Sequence, residues 1–326
     1  MKHISILVPN KAILGSLEGS RQLFTQVNQF FIMQGREPIF NVQLVGLKKQ
    51  TPVSGNSYTI HSHALLNDIK KTDLIIIPAV DGDLETAIEI NKEFIPWIKT
   101  QYENGAEVAS LCLGAFILAS TGLLDGKKCA THWLAANQFK TMFPQVNLVT
   151  EKIITDEHGI YSSGGAFSYL NLLLYIIEKY VSRDIAILCA KVFAIELDRK
   201  SQSPFIMFNG QKLHEDEPIK KAQEFIEQNA TEKLSVEDLA SKFAIGRRHF
   251  ERRFKKATNN TPVEYIQRVK MEAAKKHLEN TSMNINEVMY EVGYLDTKAF
   301  RTVFKKMTGL SPIEYKNKYN VMAAAV

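Results

Sequence analysis

Arg247-Arg248-His249-Phe250-Glu251-Arg252-Arg253-Phe254-Lys255-Lys256-Ala257-Thr258 returns fifty residues later as Thr297-Lys298-Ala299-Phe300-Arg301-Thr302-Val303-Phe304-Lys305-Lys306-Met307-Thr308. Phe250 and Phe254 recur as Phe300 and Phe304, and Lys255-Lys256 as Lys305-Lys306. The match runs on through Thr258 and Thr308, Pro262 and Pro312, and Glu264-Tyr265 and Glu314-Tyr315. A repeat of this period implies two copies of one supersecondary unit. Each copy reads as helix, short turn, helix. In the first, Ser235 caps a helix that turns Val236, Leu239, Ala240 and Phe243 inward. Ala244-Ile245-Gly246 makes the turn, and Arg247 to Ala257 forms the second helix with Phe250 and Phe254 inward. In the second copy, Asn286 to Glu291 carries Val288 and Met289 inward, Val292-Gly293-Tyr294 turns the chain and Asp296 can cap. Thr297 to Met307 then follows with Phe300 and Phe304 inward, and a longer helix, Pro262 to Glu279, joins the two copies.

With the phenylalanines facing a core, Arg248, Glu251 and Arg252 project from the first unit, and Thr297, Lys298, Arg301 and Thr302 from the second. A helix-turn-helix lays its second helix in the DNA major groove. Arg can then bond guanine bidentately and Glu can accept from cytosine, so Arg248, Glu251, Arg252, Thr297, Lys298 and Arg301 are the candidate base contacts. Lys255, Lys256, Thr302, Lys305 and Lys306 suit phosphates. Charge agrees with this. Of 40 Lys+Arg and 35 Asp+Glu, residues 1–217 hold 20 and 22, and residues 218–320 hold 20 and 13, so the excess of seven positive charges lies in the last third.

The chain has 326 residues, of which 45% are apolar and 23% charged, a globular composition long enough for two or three domains. Cys112, Cys129 and Cys189 form no CxxC pair, which argues against a disulfide framework and a structural zinc site. No apolar run approaches ~20 residues, so no membrane span is expected. Met1 to Val8 reads as a first strand rather than a signal peptide, which places the protein in the cytoplasm.

Upstream of the repeat, β and α patterns alternate. Short β-branched runs occur at Ile4–Pro9, Phe40–Gly46, Asp73–Pro78 and Glu107–Leu111, with a small later pair at 153–155 and 160–162. Helical patterns fall at Arg21 to Gln34, Leu84 to Tyr102 (interrupted at Pro96) and Ile185 to Arg199. The expected fold is an α/β, flavodoxin-like, doubly wound domain followed by an all-α double helix-turn-helix domain. The boundaries are 1–209, a Pro/Gly/acid-rich linker at 210–218, and 219–320. Open parallel sheets bind ligands at the carboxyl ends of their strands. One strand end stands out. Val108 to Ala119 runs strand, tight turn, helix, with Cys112 at the turn between Ser110 and Gly114, the spacing of a nucleophile elbow with Cys in place of Ser. A following helix N-terminus would lower the thiol pKa, and His132 is an available base. A small buried cysteine is the plain alternative.

Ser110 to Ala119, Gly122 to Lys127, Ala130-Thr131-His132-Trp133 and Ser162-Ser163-Gly164-Gly165 together resemble the PfpI-type, class I glutamine-amidotransferase-like domain, in the version fused to a regulatory DNA-binding domain. Hydrolytic members of that family place His directly after the elbow Cys, where this chain has Leu113. They also keep an acid near the start of the first helix, where Ser16 stands here and Glu18 lies two residues on. The resemblance with these departures implies a sensor rather than an enzyme, with a small-molecule site drawn from Cys112, His132, Ser16, Glu18, Ser163 and Gly164, and no metal or cofactor. A Cys112-dependent hydrolase or amidase tethered to DNA is the alternative. Leu234 to Ala240, Arg247 to Lys255, Val292-Gly293-Tyr294, Phe300 to Lys305 and Ser311 to Tyr315 resemble the AraC/XylS-type double helix-turn-helix domain. Gly246 stands for its usual capping Ser and Thr302 for a usual Arg. This resemblance implies a transcriptional regulator bound to double-stranded DNA and, with the first domain, a homodimer joined through that domain.

Overall fold

The computed structural model describes residues 1–197, 201–212, 214–232 and 234–320. The chain divides into two units, Met1–Gln202 and Ser203–Val326.

The strands of the first unit are β1 (Lys2–Val8), β2 (Phe40–Gly46), β3 (Gln50–Val53), β4 (Tyr58–His61), β5 (Ala64–Leu65), β6 (Leu74–Ile77), β7 (Glu107–Leu111), β8 (Lys128–Cys129), β9 (Asn147–Leu148), β10 (Ile154–Glu157) and β11 (Ile160–Ser163). Its α-helices are α1 (Leu14–Met33), α2 (Leu84–Glu89), α3 (Phe94–Glu103), α4 (Ala115–Ser120), α5 (Ala136–Met142), α6 (Tyr169–Tyr180) and α7 (Arg183–Val192). The main sheet has the order β10-β11-β7-β6-β1-β2-β5, parallel except for the β10–β11 hairpin. Leaving out the two-residue edge strand β5, the parallel strands run 2-1-3-4-5, the flavodoxin-like order. Leu74-Ile75-Ile76-Ile77 explains why. All four are fully buried, and alternate residues serve opposite faces. Leu74 and Ile76 pack with Phe24, Val27, Leu172 and Ile176 of α1 and α6. Ile75 and Ile77 pack with Phe94, Ile98, Phe116 and Phe139 of α3, α4 and α5.

The expected late pair is the β10–β11 hairpin, and β11 extends the main sheet by pairing in register with β7. Two local expectations change. Pro96 does not interrupt a helix. It sits in the first turn of α3, where its missing N–H is no loss, and the chain breaks at 90–93 instead. α7 ends at Val192, and the expected end of that helix at Arg199 lies outside the described residues.

The second unit contains α8 (Glu217–Gln228), α9 (Val236–Lys242), α10 (Arg247–Thr258), α11 (Pro262–Asn280), α12 (Ile285–Glu291), α13 (Thr297–Thr308) and α14 (Pro312–Tyr319). Its repeat is geometric as well as sequential. The Phe254 ring meets Tyr265 edge-on at 5.2 Å, and Phe304 meets Tyr315 at 5.4 Å. Thr258 and Thr308 each fold their hydroxyl back onto the carbonyl four residues earlier, closing α10 and α13. Asn259 and Gly309 follow in the left-handed conformation. Thr261 with Glu264, and Ser311 with Glu314, then form capping boxes with Pro at the next position. The Tyr265 hydroxyl donates to Glu227 and that of Tyr315 to Glu279, both at 2.6 Å. Phe243 is half-buried against Phe225 rather than in the core.

The boundary moves. Residues 203–209, assigned from sequence to the first domain, belong to the second unit. There the Ile206 carbonyl accepts from Lys275 and Phe208 packs edge-on against Tyr265. The 210–218 segment is also built into that unit. Asp216 caps α8 and receives two hydrogen bonds from Arg253, at 2.9 and 2.6 Å. Leu213 within it lies outside the described residues.

Candidate functional site

Two candidate sites follow, one in each unit. In the first, β7 delivers Cys112 at the carboxyl edge of the sheet. The backbone there adopts φ 53°, a left-handed turn that a non-glycine residue takes up only under constraint. The turn is crowded at Gly114, since a Cβ on it would lie 2.5 Å from the Pro78 carbonyl oxygen and 2.6 Å from that of Ile77. The Cys112 N–H donates to Ser163 Oγ at 3.4 Å, and its carbonyl accepts from Thr131 Oγ1 at 2.9 Å. Cys112, Ser163 and the Thr131-His132 segment are therefore gathered at one point. Gly164 lies against Gln202, a residue that sequence reasoning missed. Its Nε2 donates to the carbonyls of Thr131, Thr150 and Lys152 at 3.0, 2.7 and 3.2 Å. Nothing in the sequence around Gln202 marks it, because its partners lie 50 to 71 residues away.

The expected lowering of the Cys112 thiol pKa is reversed. Burial pushes it up to about 12. Cys112 is only 4% exposed, and the helix meant to activate it begins three residues later and is six residues long. Burial moves His132 the other way, below the usual imidazole range. Its Nδ1 accepts from the Leu134 N–H at 3.2 Å, so that nitrogen serves a local turn. Ser16 is buried and committed to the backbone, donating to the Ile13 carbonyl at 2.9 Å and accepting from the Ala79 N–H at 3.0 Å. Glu18 points along its own helix to Arg21 at 2.6 Å and Gln22 at 3.0 Å. Neither has a side-chain bond to Cys112 or His132 among the described contacts.

In the second unit, α10 and α13 present the expected faces. Arg248, Arg252, Lys255, Lys256, Thr297, Lys298, Arg301, Thr302, Lys305 and Lys306 are exposed, and Phe250, Phe254, Phe300 and Phe304 are fully buried. Asp296 caps α13 by accepting from the Ala299 N–H at 2.6 Å, whereas Gly246 offers α10 no side-chain cap. The two faces differ in how free their charges are. Glu251 is half-buried and paired with Arg247 at 3.3 Å, and Arg252 contacts His249 Nδ1 at 3.1 Å. Among the described residues, no ion pair or hydrogen bond engages the side chains of Arg248, Lys298 or Arg301. Arg253 is spent on Asp216, so it anchors α10 rather than facing outward.

Comparison with known proteins agrees with both halves. Residues 33–179 match the DJ-1/PfpI family, and residues 239–318 match a helix-turn-helix domain. The chain joins a DJ-1/PfpI-type domain to an AraC-type helix-turn-helix domain. The HTH-type transcriptional regulator GbdR of Pseudomonas aeruginosa is 28% identical over 243 residues, which cover 72% of this chain and 65% of GbdR, just under two thirds of that relative's length. A putative transcriptional regulator from Vibrio parahaemolyticus superposes with a TM-score of 0.53 at 23% identity, covering 59% of this chain and 98% of that one. Drosophila melanogaster DJ-1beta does so with a TM-score of 0.51 at 16% identity, covering 60% and 98%. These two likenesses establish the fold of the DJ-1/PfpI-type domain. Among the described residues, no helix of the fused chain is long and apolar enough to cross a membrane.

Proposed function

We propose that this DJ-1/PfpI–AraC-type protein is a sequence-specific, DNA-binding transcriptional regulator. A small molecule, held without turnover at the carboxyl edge of the first unit's sheet, controls it. The observation that carries the reading is the duplicated frame of the second unit, which holds two equivalent cationic helices with their phenylalanines buried and, Arg253 apart, their Arg and Lys side chains exposed. Arg248, Arg252, Lys298 and Arg301 read base edges, and Lys255, Lys256, Lys305 and Lys306 hold phosphates. A non-catalytic first unit is supported by a thiol held up to about 12, a His turned to a local cap, Leu113 beside the cysteine, and Ser16 and Glu18 engaged elsewhere. The protein acts in the cytoplasm as a homodimer joined through its first unit. Sedimentation of the concentrated chain as a monomer would overturn the dimer.

The test is selection of duplexes from a randomised library by the full-length chain. Enrichment of a two-part sequence is expected, and a selected pool indistinguishable from the input would overturn the reading. One observation favours a second reading, the left-handed backbone at Cys112, which is the geometry of a working nucleophile. An esterase or amidase activity of the wild type that Cys112→Ala abolishes would establish that reading. Unchanged DNA binding with no turnover in either protein is the result expected here.

A further inference from the structure

Lys270 lies midway along α11, the helix that joins the two repeats, and is 6% exposed. Its ammonium donates to the Glu232 carbonyl at 2.9 Å, just ahead of the first repeat. It also donates to the Val292 carbonyl at 2.9 Å, the C-cap of α12 in the second repeat. No described ion pair gives it a carboxylate. A buried ammonium without a counter-charge is costly unless its donors are satisfied, and burial holds its pKa below the usual lysine range. Here two carbonyls, one of them at the negative end of a helix, take the place of an anion, with the Tyr294 ring 5.9 Å away. Gly293 completes the contact. It has φ +70°, and a Cβ on it would lie 2.3 Å from the Thr231 carbonyl oxygen and 2.7 Å from Lys270 Nζ. The turn of the second repeat therefore sits directly on the segment that leads into the first.

Building on the DNA-binding reading above, we propose that Lys270 is a positioning residue that clamps the two helix-turn-helix repeats at one angle and spacing. The pair then reads DNA as a single rigid gauge and rejects half-sites that are out of register. Neither Lys270 nor Gly293 touches DNA in this scheme, so their contribution is to spacing specificity, not to phosphate or base contact.

The test uses the duplex that the full-length wild type enriches, and a second duplex in which the two recognised segments are moved ~5 bp apart, half a helical turn. The wild type is expected to bind the shifted duplex at least ~10-fold more weakly, since a rigid tether cannot engage both segments when the geometry is wrong. Lys270→Met and Gly293→Ala, each checked for folding by circular dichroism, are expected to shrink that ratio to ~3-fold or less, with the salt dependence of binding unchanged because no phosphate contact is lost. Lys270→Arg keeps the donors and is expected to keep the ratio. Folded Lys270→Met or Gly293→Ala with the wild-type ratio overturns the clamp. A wild type that enriches no duplex at all overturns the DNA-binding reading instead.

Discussion

Asp216 sits in a segment whose composition reads as a linker, yet it ties the first recognition helix to the rest of its unit. Its carboxylate caps α8 through the Ile219 N–H and takes both hydrogen bonds of the Arg253 fork, from α10. Asp216→Ala removes both roles. The cap is worth ~1 kcal/mol. A bidentate pair whose side chains are 31% and 23% exposed adds about 1 kcal/mol after solvent screening. The second unit is therefore expected to lose about 2 kcal/mol, and Asp216→Asn, which keeps a capping oxygen but not the charge, about half of that. The assay is urea unfolding followed on the second unit's transition. The pH dependence has a fixed sign. The Arg253 hydrogen bonds hold the Asp216 carboxyl below its ordinary range. The stabilisation is therefore present above the unfolded carboxylate value of about 3.9 and is lost as pH falls through the folded value. The gap between wild type and Asp216→Asn should be full at neutral pH and should close in that acid window. If both variants match the wild type at neutral pH, the segment is a tether after all and the reasoning fails.

Gly114→Ala would drive a Cβ into the carbonyls of Ile77 and Pro78 and should destabilise the first unit by ~2 kcal/mol, with unaltered melting of the second unit as the control. Cys112, with its thiol pushed up to about 12, should react with iodoacetamide near pH 8 roughly a thousandfold more slowly than an exposed cysteine, and faster as pH rises. Peptide mass spectrometry over time checks this, and fast labelling near neutral pH would contradict it. Lys255→Ala should weaken binding to all duplexes alike and lower the salt slope by ~1. Arg301→Ala should cost ~1–3 kcal/mol and relax preference at one base pair, readable by gel shift against single-base variants of the selected duplex.

The second unit was legible because its logic is local. Phe250/Phe254 and Phe300/Phe304 recur at helical spacing, and the Thr, Pro and Glu-Tyr that follow are the residues that end one helix and start the next. The doubly wound sheet was legible for a similar reason, since Leu74-Ile75-Ile76-Ile77 is apolar on both faces only if both faces are covered. What could not be read depends on contacts between distant residues. Asp216 and Arg253 are 37 residues apart, Gln202 and Thr131 are 71 apart, and Lys270 reaches carbonyls 38 and 22 residues away. The Cys112 spacing gave a tight turn, but its left-handed backbone and the sign of its pKa shift depend on packing and burial, which spacing does not report. The backbone bonds of Ser16 were equally out of reach, because a serine that binds backbone and one that lines a pocket look identical in sequence.

Hydroxyl-radical footprinting of the full-length chain on its selected duplex tests the central claim most directly. Within the site of each protomer, two protected patches on one face of the helix, about 10 bp apart, are predicted, with Arg248→Ala weakening protection and base preference under one and Arg301→Ala under the other. A single patch in each protomer's site, or base preference relaxed under both patches by either substitution alone, would contradict it.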